Sequence, residues 1–343
     1  MLNNSKYFVM NFFLLDEHEK YSANETSLVS QAISEISKSS KERLFNIVSC
    51  EDEADIIVLL ESSIYRCHKD IGYYKSIIGR WSDQQKVFVI NYEDHPCGAI
   101  PGLYSSLESK NFDTGMHKSW PHLISYNEHV DTVTNSDISP KLLFSFTGSC
   151  SHSLRRIIFN SFEKSIEDVK VTEIKKWYNH SAKEKKSYVI DMLNSHFVLC
   201  PRGLASYSHR ILETLALGRV PVIIADEWVP FDISEKDYYI QIPECDVQQV
   251  QEILRSNLCR YDELRANSEK VYKKYFARGD RYVMALNKIV KLSGQLSPQI
   301  DGNYLMRRLL SRNFHQMNNW LLYQRLMRAS MRLWDKFLQK TTI

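Results

Sequence analysis

Residues 196–231 read HFVLCPRGLASYSHRILETLALGRVPVIIADEWVPF, and the order of residue types in this stretch decides the fold. The apolar run Phe197-Val198-Leu199-Cys200 suits a strand buried on both faces, and it ends in Pro201-Arg202-Gly203. Small and hydroxylic residues follow, then a helical pattern over 210–217, then Gly218 as its C-terminal stop. A second apolar run, Pro221-Val222-Ile223-Ile224, follows the glycine. A strand, a loop and a helix in that order aim backbone N–H groups and the helix dipole at an anion.

The same alternation extends in both directions. Apolar, β-rich runs at 7–15, 55–60, 86–90, 142–146, 196–200 and 221–224 predict strands. Helical patterns cover 28–38, 154–165, 210–217, 247–257 and 263–277. Continuously apolar strands separated by helices predict an α/β protein with parallel, doubly wound sheets. The polar stretch 127–140 has the composition of a linker. It suggests an N-terminal Rossmann-like unit at 1–138, a second one at 139–295 and C-terminal helices at 296–343. A ligand cleft is expected at the carboxyl ends of the strands.

Several residues of the quoted stretch suit a phosphorylated ligand. Arg202 and Arg210 offer fixed positive charge with fork geometry. Ser206 or Ser208 can cap the helix or touch phosphate. Glu213 lies three residues after Arg210 on the same helix face, and a carboxylate there can accept bonds from ribose hydroxyls. An exposed Arg210–Glu213 pair and a turn glycine at 203 fit the same residues, so the physics leaves both readings open.

The stretch resembles the signature of the exostosin-type glycosyltransferases. In that family a strand ending in C-P-R-G precedes S-x-R-x-x-E-x-L, G-x-x-P-V-I-I, D and P-F. Here these are Cys200-Pro201-Arg202-Gly203, Ser208 to Leu215 with Arg210 and Glu213, Gly218 to Ile224, Asp226 and Pro230-Phe231. Flanking segments agree: 142–148 with Ser153-Leu154-Arg155 is similar to the family's strand, turn and S-x-R helix start, and 247–276 to its closing helices. Ala54-Asp55-Ile56 and the loop 91–102 match more loosely. Leu204-Ala205 departs from the small residues of many relatives.

The resemblance implies a GT-B fold, with two Rossmann-like domains facing a cleft and the donor nucleotide on the C-terminal one. It implies a metal-independent, inverting enzyme without a cofactor, whose donor is a nucleotide sugar (a UDP-sugar favoured, a GDP-sugar open). The acceptor would be a glycan or lipid-linked saccharide in surface polysaccharide synthesis. Donor binding would fall to Arg155, Arg202, Gly203, Ser208, Arg210 and Glu213, with the arginines stabilising the leaving diphosphate. Inversion needs a general base. Asp94 and His95, after the strand at 86–90, are the first candidates, and Asp16 and Glu17 compete. A GDP-fucose-using enzyme and a non-catalytic sugar-nucleotide- or glycan-binding partner subunit are the alternative readings.

The remaining features are less specific. A net charge of +3 over 343 residues argues against nucleic acid as a partner. The charge is uneven: 305–340 holds eight Lys or Arg against one acid, Asp335. Apolar residues recur there at Met306, Leu310, Phe314, Met317 and Leu321, and again at Met327, Met331, Trp334 and Leu338. Such a segment packs back on the first domain, lies on an anionic leaflet, or does both, its first part packing while its second reaches the membrane. Seven cysteines without a CxxC pair suggest reduced thiols, hence a cytoplasmic protein, peripheral to membrane in the second reading of the tail. His117, His122 and His129 lack metal-ligand spacing.

Overall fold

The computed structural model describes residues 9–16, 28–61, 71–81, 86–123, 127, 129–130, 138–162, 167–175 and 180–317. Contacts divide the chain into two compact units. One takes its described residues from Met1–Gln31, Glu42–Ser119 and Ala285–Ile343, the other from Ala32–Lys41 and Trp120–Met284. Each is a parallel α/β sheet with helices packed on it, as the alternation of apolar runs predicts.

The first unit holds β1 (Met10–Asp16), β2 (Phe45–Ile47), β3 (Ile56–Glu61), β4 (Lys86–Asn91), β5 (Gly102–Tyr104) and β6 (His117–Ser119), in the order β2-β1-β3-β4-β5-β6. All five pairings are parallel. Every residue of β3 is buried, as expected for a central parallel strand covered on both faces. Helix α1 (Leu28–Lys38) buries Leu28, Ala32 and Ile36, four apart on one face. Helix α2 (Ile71–Ile78) packs Tyr74, Ile77 and Ile78 against Ile57, Leu59, Val87 and Val89.

The second unit holds β7 (Leu142–Gly148), α3 (Ser153–Phe162), β8 (Val169–Glu173), α4 (Ala182–Leu193), β9 (Ser195–Pro201), α5 (Arg210–Ala216), β10 (Val220–Ile224), β11 (Ile240–Gln241), α6 (Val250–Ser256) and α7 (Tyr261–Val271). Strand order is β11-β10-β9-β7-β8, again with every pairing parallel. The two-residue period of β9 separates its faces. Phe197 and Leu199 join Phe144, Phe146, Val222 and Ile224 under α3, α6 and α7, whereas Val198 joins Val189, Met192, Leu193, Ala216 and Leu217 of α4 and α5. Gly218 ends α5 at φ 61°. The N–H of Gly218 reaches Leu215 O at 3.1 Å and that of Arg219 reaches Thr214 O at 3.0 Å, a Schellman closure that favours glycine.

Three expectations need correction. The helix expected at 247–257 begins as a 3₁₀ turn, Glu244–Gln249, before α6. The one at 263–277 is α7 followed by a π turn, Tyr272–Phe276. The stretch 127–140 is not solvated throughout where it is described, although Ile138 and Ser139 are exposed. Val130 is fully buried among α4 and α5 residues, Asn127 binds Glu213, and Ile138 O accepts from Arg219 Nη2 at 2.6 Å.

Helix α8 (Arg281–Gln295) leads into α9 (Gly302–Leu310) and α10 (Arg312–Met317). Leu305, Leu309 and Phe314 of the basic segment lie in the core of the first unit, and Arg308 Nη1 donates to Gly98 O at 2.6 Å. The rest of the expected amphipathic tail, from 318 on, lies outside the described residues, as do Glu17, 7–8, 131–137 and Cys67.

Candidate functional site

In the second sheet the chain runs outward in opposite directions from β7 and β9, which are paired neighbours. Open parallel sheets bind ligands outside the carboxyl ends of the strands at such a switch point. The carboxyl ends of this pair are Gly148 and Pro201, and the arginines of the quoted stretch gather there.

Arg210 opens α5. Its Nη2 donates to Thr147 O at 2.5 Å and its Nη1 to Ser208 Oγ at 3.3 Å. The guanidinium carbon stands 4.9 Å from the Phe146 ring centroid and 5.8 Å from that of Tyr188, within cation–π reach. Its Nε is buried without a hydrogen-bond partner among the described residues. Burial pulls the Arg210 pKa down, but Tyr188, Cys200 and Glu213 outweigh it and hold the value above the ordinary one. The group is a fixed cation.

Arg202 leaves the end of β9, its own N–H held by Ile224 O at 3.0 Å. Its Nη1 lies 3.6 Å from Glu244 Oε1. Glu244 is itself fixed by reciprocal bonds with Asp226: the N–H of Asp226 donates to Glu244 Oε1 at 3.1 Å and that of Glu244 to Asp226 Oδ1 at 2.9 Å. Asp226 of the family signature thus acts on Arg202 through Glu244. Arg155, on α3, donates from Nε to Arg202 O at 2.9 Å, from Nη1 to Ser149 O at 3.2 Å and from Nη2 to Pro201 O at 3.2 Å. Burial, then the charge of Arg210, pushes its pKa down to about 10, so it stays protonated at neutral pH.

Glu213 is buried on the same helix as Arg210. Oε1 accepts the N–H of Asn127 at 3.0 Å and Oε2 the Tyr188 hydroxyl at 2.6 Å. The ribose contact expected for this carboxylate must therefore use the lone pairs left beside two protein donors. Ser208 is buried and its hydroxyl is engaged by Arg210. Neither Ser206 nor Ser208 caps α5: its N-cap is His209, which makes no side-chain cap bond. Gly203 donates its N–H to Ala205 O at 3.1 Å, and Leu204 is 59% exposed at the loop tip. Arg155, Arg202, Gly203, Ser208, Arg210 and Glu213 thus belong to one neighbourhood of the second unit.

Asp94 and His95 belong to the first unit. Both are exposed in the turn after β4, while Glu93 beside them is buried and its N–H is taken by Asn91 Oδ1 at 3.0 Å. Asp16 ends β1 and is buried, with Oδ2 accepting the N–H of Leu28 at the start of α1 at 2.9 Å. Sequence reasoning passed over Glu61. It ends β3, which neighbours β1 at the switch point of the first sheet. Tyr73 Oη donates to its Oε1 at 2.5 Å and Asn91 Nδ2 to its Oε2 at 2.6 Å. The one signal in the sequence is a carboxylate that directly closes the wholly apolar run Ile56-Ile57-Val58-Leu59-Leu60, and only the structure shows that it is buried. His117 braces the loops around it, since its Nδ1 accepts the N–H of Asp113 at 3.0 Å and its Nε2–H points to Gly98 O at 3.1 Å.

Comparison with known proteins gives the family. Residues 77–257 match the Exostosin GT47 domain. The chain belongs to the Exostosin GT47 domain family. It is 41% identical over 88 residues to an exostosin-1 homologue of Caenorhabditis elegans, covering 24% of this chain and 23% of that protein. It is 31% identical over 135 residues to a probable glucuronosyltransferase of Oryza sativa subsp. japonica, covering 37% and 31%. A probable beta-1,4-xylosyltransferase of Arabidopsis thaliana is 32% identical over 125 residues, covering 33% and 30%. The alignments thus span less than a third of each relative. Among solved structures, an Anabaena protein in complex with UDP aligns over 83% of this chain and 100% of its own, at TM-score 0.43 and 10% identity. The Exostosin GT47 match contains β7, β9, β10 and every arginine of the site.

Proposed function

We propose that this chain is a glycosyltransferase that takes a sugar from a nucleoside-diphosphate sugar, a UDP-sugar in the first instance, to a glycan or glycolipid hydroxyl in surface polysaccharide synthesis. One observation carries the reading: Arg202 and Arg210 stand at the carboxyl end of the β7–β9 pair, where a parallel sheet binds phosphorylated ligands. The names of the rice and Arabidopsis relatives, glucuronosyltransferase and xylosyltransferase, support the reaction class.

In this reading the second unit holds the donor and the first the acceptor. Transfer breaks the bond between the anomeric carbon and the diphosphate oxygen, so negative charge grows on the leaving group. Fixed guanidinium groups stabilise that charge without a divalent metal. Inversion follows if the acceptor hydroxyl attacks from the opposite face while a carboxylate or imidazole of the first unit removes its proton. Asp94 and His95 are exposed enough to meet an acceptor, and Glu61 joins Asp16 and Glu17 as a further candidate.

Thermal unfolding with UDP, GDP, CDP and the free nucleosides, each with and without EDTA, tests the donor site. Stabilisation by one diphosphate that survives EDTA is the expected result. No shift with any of them, in a cooperatively folded sample, overturns the reading.

A further inference from the structure

Arg155 is bonded differently from the other two arginines of the site. Of its five N–H groups, three end on backbone carbonyls. One of these, Ser149 O, lies just after β7, and two, Pro201 O and Arg202 O, lie at the end of β9 and just beyond it. The side chain therefore joins the loop after β7 to the end of β9, the second of them 47 positions along the chain from Arg155 itself. Gly203 is shaped around it. A Cβ on Gly203 would stand 2.9 Å from Arg155 Nη2, 3.3 Å from its Cζ and 2.9 Å from Ser151 Oγ, closer than such atoms approach without something moving. Arg210 contrasts with this, giving one bond to a backbone carbonyl and keeping an Nε with no hydrogen-bond partner among the described residues.

We propose that Arg155 is a positioning residue rather than a diphosphate ligand. Its planar guanidinium straps the loop after β7 to the loop after β9 and so sets the backbone from which Arg202 and Arg210 face the anion. Gly203 is a glycine because the strap passes where a side chain would be. A lysine cannot replace it, since a single ammonium lacks the fork that spans carbonyls in two directions. The inference rests on the donor-site reading above, but the strap itself is measurable without a nucleotide.

A phosphate ligand and a strap differ in their effect on a nucleoside. Removing a ligand of the diphosphate weakens UDP and leaves uridine alone. Removing the strap loosens the loops around the whole nucleotide and weakens both. The experiment compares the full-length chain with Arg155→Ala, Arg155→Lys, Gly203→Ala and, as reference, Arg210→Ala. Calorimetry measures UDP and uridine affinity, and hydrogen exchange follows residues 149–152 and 201–206.

Arg155→Ala and Gly203→Ala are expected to weaken UDP and uridine by a similar factor, about tenfold, which is the loss of roughly one net hydrogen bond. Both loops should exchange faster. Arg155→Lys should not recover affinity. Added guanidinium ion should restore Arg155→Ala but not Gly203→Ala, which a merely destabilised fold would not do. Arg210→Ala should lose UDP and keep uridine. An Arg155→Ala variant that keeps uridine while losing UDP, or whose loops exchange as in the wild type, overturns the proposal. If Arg155→Ala does not fold, Gly203→Ala and Arg155→Lys carry the same comparison. If the wild type binds no nucleotide, the donor reading fails by itself, and loop exchange with its guanidinium rescue still decides for or against the strap.

Discussion

The Tyr188 hydroxyl donates to Glu213 Oε2 at 2.6 Å, and this bond ties α4 to α5, the helix that Arg210 opens. Burial first, and then the neighbouring Glu213, push the Tyr188 pKa well above its ordinary value, so the hydroxyl keeps its proton and remains a donor. Tyr188→Phe leaves one oxygen of a buried carboxylate short of its donor, and stability should fall by about 1–3 kcal/mol. Nucleotide affinity should change little, because α5 keeps its Schellman closure. Glu213→Ala removes the acceptor of Asn127 as well and should cost more. Urea unfolding of both single variants and the double variant gives the coupling. Additive effects, with no interaction energy between the two sites, would remove this bond from the account.

Arg202 offers a separate test of the donor site. Its side chain is 15% exposed and its Nη1 lies 3.6 Å from Glu244 Oε1, a contact on which a diphosphate oxygen at hydrogen-bond distance improves. Arg202→Ala should weaken UDP by about 1.5–3 kcal/mol, the usual range for a bond to a charged group, and leave uridine unchanged. The deficit should shrink at high salt, which screens a partly exposed pair. Equal losses for UDP and uridine would take Arg202 out of the diphosphate site.

Much of this was legible in the residues, for identifiable reasons. Strands β1, β3, β4, β7, β9 and β10 are long apolar runs, and such runs announce a parallel sheet. Strands β2, β5, β6 and β11 have two or three residues each, too few to show any period, and they exist because a longer neighbour offers a ladder. Arg202, Gly203 and Arg210 stood out as candidates because they fall in a strand–loop–helix stretch that resembles the exostosin signature. The partners of Arg155 could not, since its bond to Arg202 O spans 47 positions and ends on a carbonyl, which every residue has. Glu61 was hidden because a carboxylate after an apolar run usually marks a strand's solvated end. The segment 127–140 misled through composition: its docking bonds run largely through backbone groups, Asn127 N–H and Ile138 O, which its residue types do not reveal.

His117 makes stability depend on pH. Burial, then the charge of Arg308, push its pKa down to about 3, while the unfolded chain titrates near 6.5. The unfolded state therefore binds the proton first. The contribution of neutral His117 is complete above pH ~6.5 and is lost as pH falls toward the folded value. Between pH 7.5 and 5 the loss is about 2 kcal/mol. The pKa of His122 is lowered in the same direction, by burial and then by His209 and Arg281, so the measured drop should not be smaller. Urea midpoints at the two pH values test the sum, and an imidazole NMR titration tests the cause. A His117 resonance that titrates near pH 6 would contradict the assignment.

The basic C-terminal segment gives the last prediction, because its two readings place different residues in charge. If α9 is a packed helix of the first unit, its core-facing residues carry stability and its outer face does not. Leu309 is 1% exposed and Leu310, its neighbour, is 49% exposed. Leu309→Ala should destabilise by about 2–5 kcal/mol, the range for a truncated buried leucine, and Leu310→Ala by no more than about 0.5 kcal/mol. A leaflet-bound helix would reverse the emphasis: Leu310→Ala would lower binding to vesicles containing anionic lipid, with the unfolding midpoint unmoved. We expect the first pattern for 302–317, because Leu305, Leu309 and Phe314 already have apolar partners in the sheet's own core. A helix whose apolar residues are engaged there has little apolar surface left for a bilayer. Small and equal losses of stability for Leu309→Ala and Leu310→Ala would count against the packed reading.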